Sequence, residues 1–162
     1  MFLTTNQRHY GRAVLGREAH YVSRHARGVK YTLFLAIDTA GVVAWWLVPL
    51  NCSIVTLTHF YTAYLLPALP PAGSHVMMDN LAAHLSAEPI ATLRAAGVEP
   101  HFRPTYSPDY APIERAFYVL KAHLRRDQTP ITPVNIYARI AAAMQAITAQ
   151  KCDNFYRNCG YP

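Results

Sequence analysis

The sequence has few charged residues, few glycines and no long apolar run. Only 15% of the residues are charged, and 7 of 162 are glycine. The apolar run from Val42 to Leu50 is too short to cross a bilayer, and the first residues, from Thr4 to His9, are polar. We therefore expect neither a membrane span nor a signal peptide. The sequence also lacks a glycine-rich phosphate loop. It has no Ser/His/Asp arrangement of suitable spacing, which argues against a serine or cysteine hydrolase.

Cysteine and acidic residues are also scarce. The three cysteines, Cys52, Cys152 and Cys159, cannot all pair with one another, so we expect reduced thiols in an intracellular protein, nuclear if the source is eukaryotic. Nine acidic residues face fifteen basic ones, which leaves a formal charge of +6 and a pI near 9.4. This excess favours an anionic partner such as nucleic acid.

The apolar content is high enough for a folded domain with a real core. Apolar residues make up 52% of the chain and aromatic residues 12%, which argues against disorder. The length suits one domain over residues 1–162.

Hydrophobic patterning predicts a mixed α/β sheet covered by helices. Tyr31 to Ile37 and Val42 to Val48 are nearly continuously apolar and flank Asp38 to Gly41, which predicts a β-hairpin covered on both faces. Residues 1–30 fit an irregular surface segment with a short strand near His20 to Ser23, or a flank that contacts phosphate. Further predicted elements are helices from Ser53 to about Leu66, from Ser86 to Gly97 and from Pro112 to about Arg126, strands His75 to Asp79 and Val98 to Arg103, and a last helix from Thr132-Pro133 that carries Ile136, Ile140, Met144 and Ile147.

Two acids stand at positions where one divalent metal could bind both. Asp79 ends a predicted strand, where open α/β sheets place their ligands, and Glu114 lies in the first turn of a helix that Pro112 opens. Thirty-four residues separate them, enough for one helix, one strand and a return loop. Hard cations such as Mg²⁺ take oxygen ligands. Each acid taken alone also suits a structural role, as a turn cap or as a partner of the helix dipole.

The helix after Glu114 has two distinct faces. Ile113, Phe117, Leu120 and Leu124 recur at helical spacing and should face the core. The adjacent stripe can hold a phosphate backbone against a bound ion, or it can be a solvated basic face that suits the helix dipole. That stripe consists of Glu114, Tyr118, Lys121 and Arg125.

These motifs together resemble the DDE transposases of the mariner superfamily. The resemblance rests on Asp79-Asn80 followed by His84, then on the block from Tyr106 to Arg115 (Tyr-Ser-Pro-Asp-x-x-Pro-Ile-Glu-Arg), and on Lys121 in the following helix. It extends more weakly from Gly11-Arg12 to Cys159-Gly160-Tyr161.

The resemblance implies an RNase H-like fold, a mixed β-sheet flanked by helices. It also implies Mg²⁺- or Mn²⁺-dependent cleavage and strand transfer of DNA, with Asp79 and Glu114 as catalytic metal ligands. Arg115, Lys121 and Arg125 would contact DNA, Asn80 and His84 would shape the site, and homodimerisation is an option.

One acid of the family pattern is missing. The family's first Asp lies on a strand ahead of a segment resembling Gly11 to Gly16, and no acid precedes Glu18 in this sequence. We therefore expect the first strand and its Asp to be absent and cleavage to be weak or lost. Two alternatives stay open: Asp38 replaces the first Asp in a small RNase H-like nuclease, or the chain is a non-catalytic nucleic-acid-binding remnant.

Overall fold

Five strands and five helices organise the part of the chain that the structure, a computed structural model, describes. That part comprises residues 2–3, 14–17, 30–49, 51–70, 73–104, 110–126, 129 and 131–161. The elements are β1 (Phe2–Leu3), β2 (Lys30–Asp38), β3 (Gly41–Val48), α1 (Ile54–Phe60), β4 (His75–Met78), α2 (Ala87–Ala95), β5 (Glu99–Phe102), α3 (Pro112–Arg126), α4 (Ile136–Met144) and α5 (Ala149–Asn158). The strand expected near His20 to Ser23 and the motif residues Tyr106 to Asp109 lie outside the described residues.

The predicted hairpin is confirmed. β2 and β3 pair antiparallel from Thr32 opposite Val48 to Asp38 opposite Gly41. The turn is closed by Asp38, whose Oδ1 accepts hydrogen bonds from the backbone N–H groups of Ala40 at 2.8 Å and Gly41 at 2.9 Å. Gly41 has a φ of +137°, a conformation that residues with a side chain rarely adopt.

A second, parallel pair of strands follows the hairpin. β4 and β5 pair from His75 opposite Glu99 to Met78 opposite Phe102, and α2 makes the connection that parallel strands require. Ahead of the hairpin, the two-residue strand β1 pairs antiparallel with the beginning of β2. The described strands thus form one sheet in the order β1-β2-β3 and another of β4-β5.

The hairpin lies between two hydrophobic cores, as its apolar composition predicts. Core A contains Tyr31, Leu33 and Leu47 of the hairpin together with buried residues of α3 and α4. Core B contains Phe34, Ala44 and Val48 together with buried residues of α1, β4 and α2. Neighbouring residues of β2 enter different cores because successive side chains of a strand point to opposite faces.

The first helix begins where it was predicted and changes its pitch before it ends. Ser53 and Thr56 form a capping box, in which the Ser53 hydroxyl accepts the Thr56 N–H and the Thr56 hydroxyl accepts the Ser53 N–H. Beyond Phe60 the chain continues as a π-helical turn, Tyr61–Leu65, and a 3₁₀ turn, Leu66–Ala68. The regular ladder cannot continue through Pro67, which has no N–H to donate.

Two predictions of local structure need correction. Ser86 occupies the N-cap of α2, but its hydroxyl donates to the carbonyl of Ala82 and does not cap the helix. The single last helix is in fact two, since α4 ends at Met144 and Thr148 caps a separate helix, α5. Cys152, Phe155, Tyr156 and Cys159 recur at the i, i+3, i+4 and i+7 spacing of a helix, a pattern that the prediction overlooked in this mostly polar segment.

None of the helices in the described ranges is both long and apolar enough to span a bilayer. All three cysteines are free thiols.

α5 is attached to the hairpin through Tyr156. Its hydroxyl donates to the Ile37 carbonyl at 2.8 Å. Burial, followed by the nearby Asp38 charge, raises the pKa of Tyr156 to about 12. The hydroxyl is therefore a neutral donor over the whole physiological pH range.

Replacing Leu120 by Ala should lower the free energy of unfolding by about 2–5 kcal/mol, because the Leu120 side chain is 0% exposed within core A and the change leaves a cavity. Urea unfolding measures the change. Tyr118→Ala on the same helix is the control, since Tyr118 is 71% exposed and its loss should cost less than about 0.5 kcal/mol. Equal losses for the two variants would contradict the packing described here.

Stability should fall as the pH rises from about 10 to about 12, and part of this fall should depend on Tyr156. The folded protein holds the Tyr156 proton more tightly than the unfolded chain, so the stabilisation is complete below the unfolded pKa and is lost as the pH passes the folded one. Denaturant unfolding at several pH values should show a smaller decline for Tyr156→Phe. A decline for Tyr156→Phe as steep as that of the wild type would refute the role of Tyr156. The control is Tyr118→Phe, which should decline as the wild type does.

Candidate metal centre

Asp79 follows the last residue of β4 and presents an oriented, partly open carboxylate. Its Oδ1 lies 2.7 Å from His84 Nδ1 and accepts the Leu81 N–H at 3.2 Å. Its Oδ2 has no hydrogen-bond partner among the described residues, and the side chain is 56% exposed. One oxygen is therefore held by the protein while the other remains accessible to a ligand.

Two neighbours named by the sequence motif fix the end of β4. Asn80 donates from Nδ2 to the Arg103 carbonyl at 2.8 Å, which ties the end of β4 to the end of β5. His84 lies in the turn before α2 with a side chain only 18% exposed, and its Nδ1 also lies 3.3 Å from the Asp79 carbonyl oxygen. Both residues orient the loop that carries Asp79, a geometry that suits site-shaping residues.

The Asp79 carboxylate lies at the border of core B. Burial raises the pKa of the Cys52 thiol, and the Asp79 charge adds to that rise. Burial also raises the pKa of Tyr61, with smaller contributions from Cys52 and Asp79, and the Tyr61 hydroxyl lies 3.6 Å from Met78 Sδ. The Asp79 charge therefore acts on Cys52 and Tyr61, while the Asp79 side chain itself stays 56% exposed.

Glu114 lies in the first turn of α3, as predicted. Pro112 and Ala111 are buried at the start of the helix, and the Glu114 N–H donates to the Ala111 carbonyl at 3.0 Å. The Glu114 side chain is exposed, and among the described residues its carboxylate has no hydrogen bond or ion pair. It is thus available as a ligand.

Tyr161 links the strand that carries Asp79 to the segment that precedes Glu114. Its hydroxyl lies 2.9 Å from Met77 Sδ and 3.1 Å from the Tyr110 carbonyl oxygen. Met77 is in β4, and Tyr110 lies two residues before Pro112, the first residue of α3. The structure therefore brings the two acid-bearing elements within a few ångströms of each other at this point.

The available donors fit a hard cation but number fewer than three. Carboxylate oxygens are what Mg²⁺ and Mn²⁺ take. Within the described ranges no group of three or more His, Cys, Asp or Glu residues could hold a metal. Asp38 is occupied as the cap of the hairpin turn, which is the structural role that its neighbours Thr39 to Gly41 indicated.

α3 presents the basic residues that the sequence nominated for DNA. Arg115, Lys121 and Arg125 are all exposed, and Lys121 and Arg125 share a stripe with Glu114. Arg115 lies about a quarter turn away from that stripe. Core A receives Ala116, Leu120 and Leu124 from the opposite face, whereas the predicted core residues Ile113 and Phe117 are only half-buried.

Sequence reasoning missed three residues around the candidate site. Cys52 lies just before α1 and Tyr61 in the turn after it, and no local pattern indicates that they lie near Asp79. Tyr161 had a usable signal, because a glycine just after a polar segment often ends a helix and fixes the next residue. The helix itself went unrecognised, so the signal was lost.

Comparison with known proteins gives a consistent assignment. The model of the family described as DDE superfamily endonuclease matches residues 1–132. No curated protein matches the chain in sequence.

Among solved structures, the Mos1 mariner paired-end complex with Mn superposes with a TM-score of 0.73 at 19% identity over 95% of this chain. The catalytic domain of Mos1 mariner transposase gives 0.65 at 17% identity over 79% of this chain. The chain spans about half of the full Mos1 chain, 47%, and 66% of the catalytic-domain chain.

At such identities these superpositions show the fold alone. The Mos1 catalytic domain is RNase H-like, so the predicted RNase H-like α/β fold is confirmed. The family model covers most of the sequence, and it includes both Asp79 and Glu114. The chain therefore belongs to the DDE superfamily of endonucleases.

Proposed function

We propose that this chain forms the metal-binding and DNA-contacting part of a DDE transposase catalytic domain, with Asp79 and Glu114 as ligands of Mg²⁺ or Mn²⁺. The observation that carries the proposal is the Asp79 carboxylate, with Oδ1 held by His84 and Oδ2 open, on a strand linked to the start of the Glu114 helix. Among the described residues, Asp79 Oδ2 and the Glu114 carboxylate have no hydrogen-bond partner, so both are available to a ligand.

The Mos1 structures support the choice of metal and partner. They include a paired-end complex with Mn, a catalytic domain with Mg and a paired-end complex with a transposon end. A divalent ion in such a site stabilises the charge of an in-line phosphodiester displacement and activates the attacking oxygen.

This chain's own residues would act by orientation and charge. His84 keeps Asp79 in one rotamer, so a ligand does not have to order the carboxylate first. Arg115, Lys121 and Arg125 present positive charge on the exposed side of α3, where phosphates of a DNA backbone can be contacted without reading its sequence. The net charge of +6 supports the same partner.

Metal binding is the most direct test, because DDE chemistry calls for three carboxylates and the described residues provide no cluster of three. Cleavage by the chain would therefore depend on a further acid, whereas binding to two carboxylates does not.

Asp79→Asn and Glu114→Gln should each weaken Mn²⁺ binding by more than about tenfold, because each removes a charged oxygen ligand from the ion. Isothermal titration calorimetry or the electron paramagnetic resonance signal of free Mn²⁺ measures the affinity. The control is Glu88→Gln, which removes a carboxylate from the first turn of another helix, α2. An Mn²⁺ affinity that is unchanged in Asp79→Asn and Glu114→Gln, or that falls equally in Glu88→Gln, would refute the assignment.

Replacing Arg115, Lys121 or Arg125 by Ala should weaken DNA binding for all sequences alike. Each change should also lower the slope of log affinity against log salt concentration by about 0.9, since one phosphate contact releases roughly that many counterions. Fluorescence anisotropy with a duplex oligonucleotide over a salt series measures the slope. Lys151→Ala in α5 removes the same charge elsewhere and should leave the slope unchanged, so an equal effect at Lys151 would show that only net charge matters.

A further inference from the structure

The C-terminal turn of α5 fixes the position of Tyr161. The Gly160 N–H donates to the Arg157 carbonyl at 3.0 Å, and the Tyr161 N–H donates to the Tyr156 carbonyl at 3.1 Å. Together with the Gly160 φ of +82°, these bonds define a Schellman motif. The rings of Tyr156 and Tyr161 pack edge to face with centroids 5.7 Å apart, which is the apolar contact that this motif usually includes.

Helix termination accounts for the Tyr161 backbone and ring but not for its hydroxyl. The hydroxyl carries one proton, and the backbone carbonyl of Tyr110 is a better acceptor than a thioether sulfur. The hydroxyl proton therefore favours the Tyr110 carbonyl at 3.1 Å, and Met77 Sδ at 2.9 Å shares it as a second acceptor in a three-centre hydrogen bond. The hydroxyl thus contacts two elements that are remote from α5 in sequence.

Both contacted elements lead directly into an acid of the metal centre. Met77 lies two residues before Asp79, and Tyr110 lies four residues before Glu114. The elements that carry these acids pack in different cores. Met78, the last residue of β4, packs in core B, and the buried face of α3 packs in core A. Close packing within one core therefore cannot by itself set the distance between the two acids.

α5 gives this contact a firm base. Tyr156 binds the Ile37 carbonyl of β2 at 2.8 Å, and Cys152 is fully buried in core A. The side chain of Tyr161 therefore projects from a helix that is itself attached to the central hairpin.

We infer that Tyr161 is a positioning residue for the metal centre, whose hydroxyl holds the β4 end and the α3 start at the separation that lets Asp79 and Glu114 share one ion. The part that concerns the ion rests on the proposed function. The part that concerns the two elements stands on the contacts alone and can be tested without metal.

The first experiment compares amide hydrogen exchange in the wild type and Tyr161→Phe without metal. The variant keeps the ring on Tyr156 and loses only the hydroxyl. Exchange should accelerate about 2- to 10-fold in residues 75–81 and 110–116, the range that corresponds to one net hydrogen bond. Unchanged exchange in these two segments would overturn the inference, whatever the metal experiment shows.

The matched control is Tyr137→Phe, which also loses a tyrosine hydrogen bond to a backbone carbonyl, that of Leu47 at 2.7 Å. It should leave both segments unchanged. A second variant, Gly160→Ala, displaces Tyr161 by straining the turn, although its Cβ would meet no atom within 4 Å. It should reproduce the pattern of Tyr161→Phe, and exchange that rises everywhere instead would indicate general destabilisation and contradict a local role.

The second experiment measures Mn²⁺ affinity of the same variants. Tyr161→Phe should weaken Mn²⁺ binding by about tenfold, because the two elements that carry the ligands lose the contact that positions them. Tyr137→Phe should leave the affinity unchanged. Faster exchange with unchanged affinity would reject positioning of the ligands while leaving the link between elements intact. If the wild type shows no Mn²⁺ binding that depends on Asp79 and Glu114, the proposed function fails, and the exchange data alone still decide whether Tyr161 links the two elements.

Discussion

The burial of the β2–β3 hairpin on both faces is the constraint on which the rest of the structure depends. Alternate residues of β2, such as Leu33 and Phe34, enter opposite cores, so each face needs its own cover of helices. α3 and α4 cover one face, and α1, β4 and α2 cover the other. A polar substitution on either face would leave an unpaired group in an apolar environment, which is costly.

This arrangement divides the candidate metal centre between two cores. Asp79 extends from an element of core B, and Glu114 extends from the helix that closes core A. Hydrophobic packing determines where each element lies against the hairpin, but it is not directional enough to set the distance between two carboxylates. Directional polar contacts are suited to this, and Tyr161 supplies them between the two elements.

The chemistry of the centre follows from how its polar atoms are paired. Asp79 Oδ1 is held by His84 and the Leu81 N–H, whereas Glu114 is unpaired within the described part of the chain. In the proposed function Asp79 is therefore the oriented ligand and Glu114 the adaptable one. Asp38 also uses its Oδ1 as a backbone acceptor, and its bonds from the Ala40 and Gly41 N–H groups close the hairpin turn and stabilise the fold.

Residue patterns were sufficient to predict the features that depend on local chemistry. Apolar runs around Asp38 to Gly41 predicted the hairpin, Pro112 marked the start of α3, and helical spacing separated its exposed stripe from Leu120 and Leu124. The motif around Asp79 and Glu114 predicted the family, and the family model that matches residues 1–132 includes both acids. α5 was missed although Cys152, Phe155, Tyr156 and Cys159 recur at helical spacing, because polar residues make up most of the segment around them.

Only the tertiary structure decided which distant residues meet. The contacts of Tyr161 with Met77 and Tyr110 span 84 and 51 positions of sequence, and that of Tyr156 with Ile37 spans 119. No local pattern encodes such pairs, since each depends on how helices pack over two faces of one hairpin. The family resemblance predicted the two acids, whereas the residues that orient them are visible only in the folded chain. The reason is that hydrogen bonds form only between atoms that packing has already brought together.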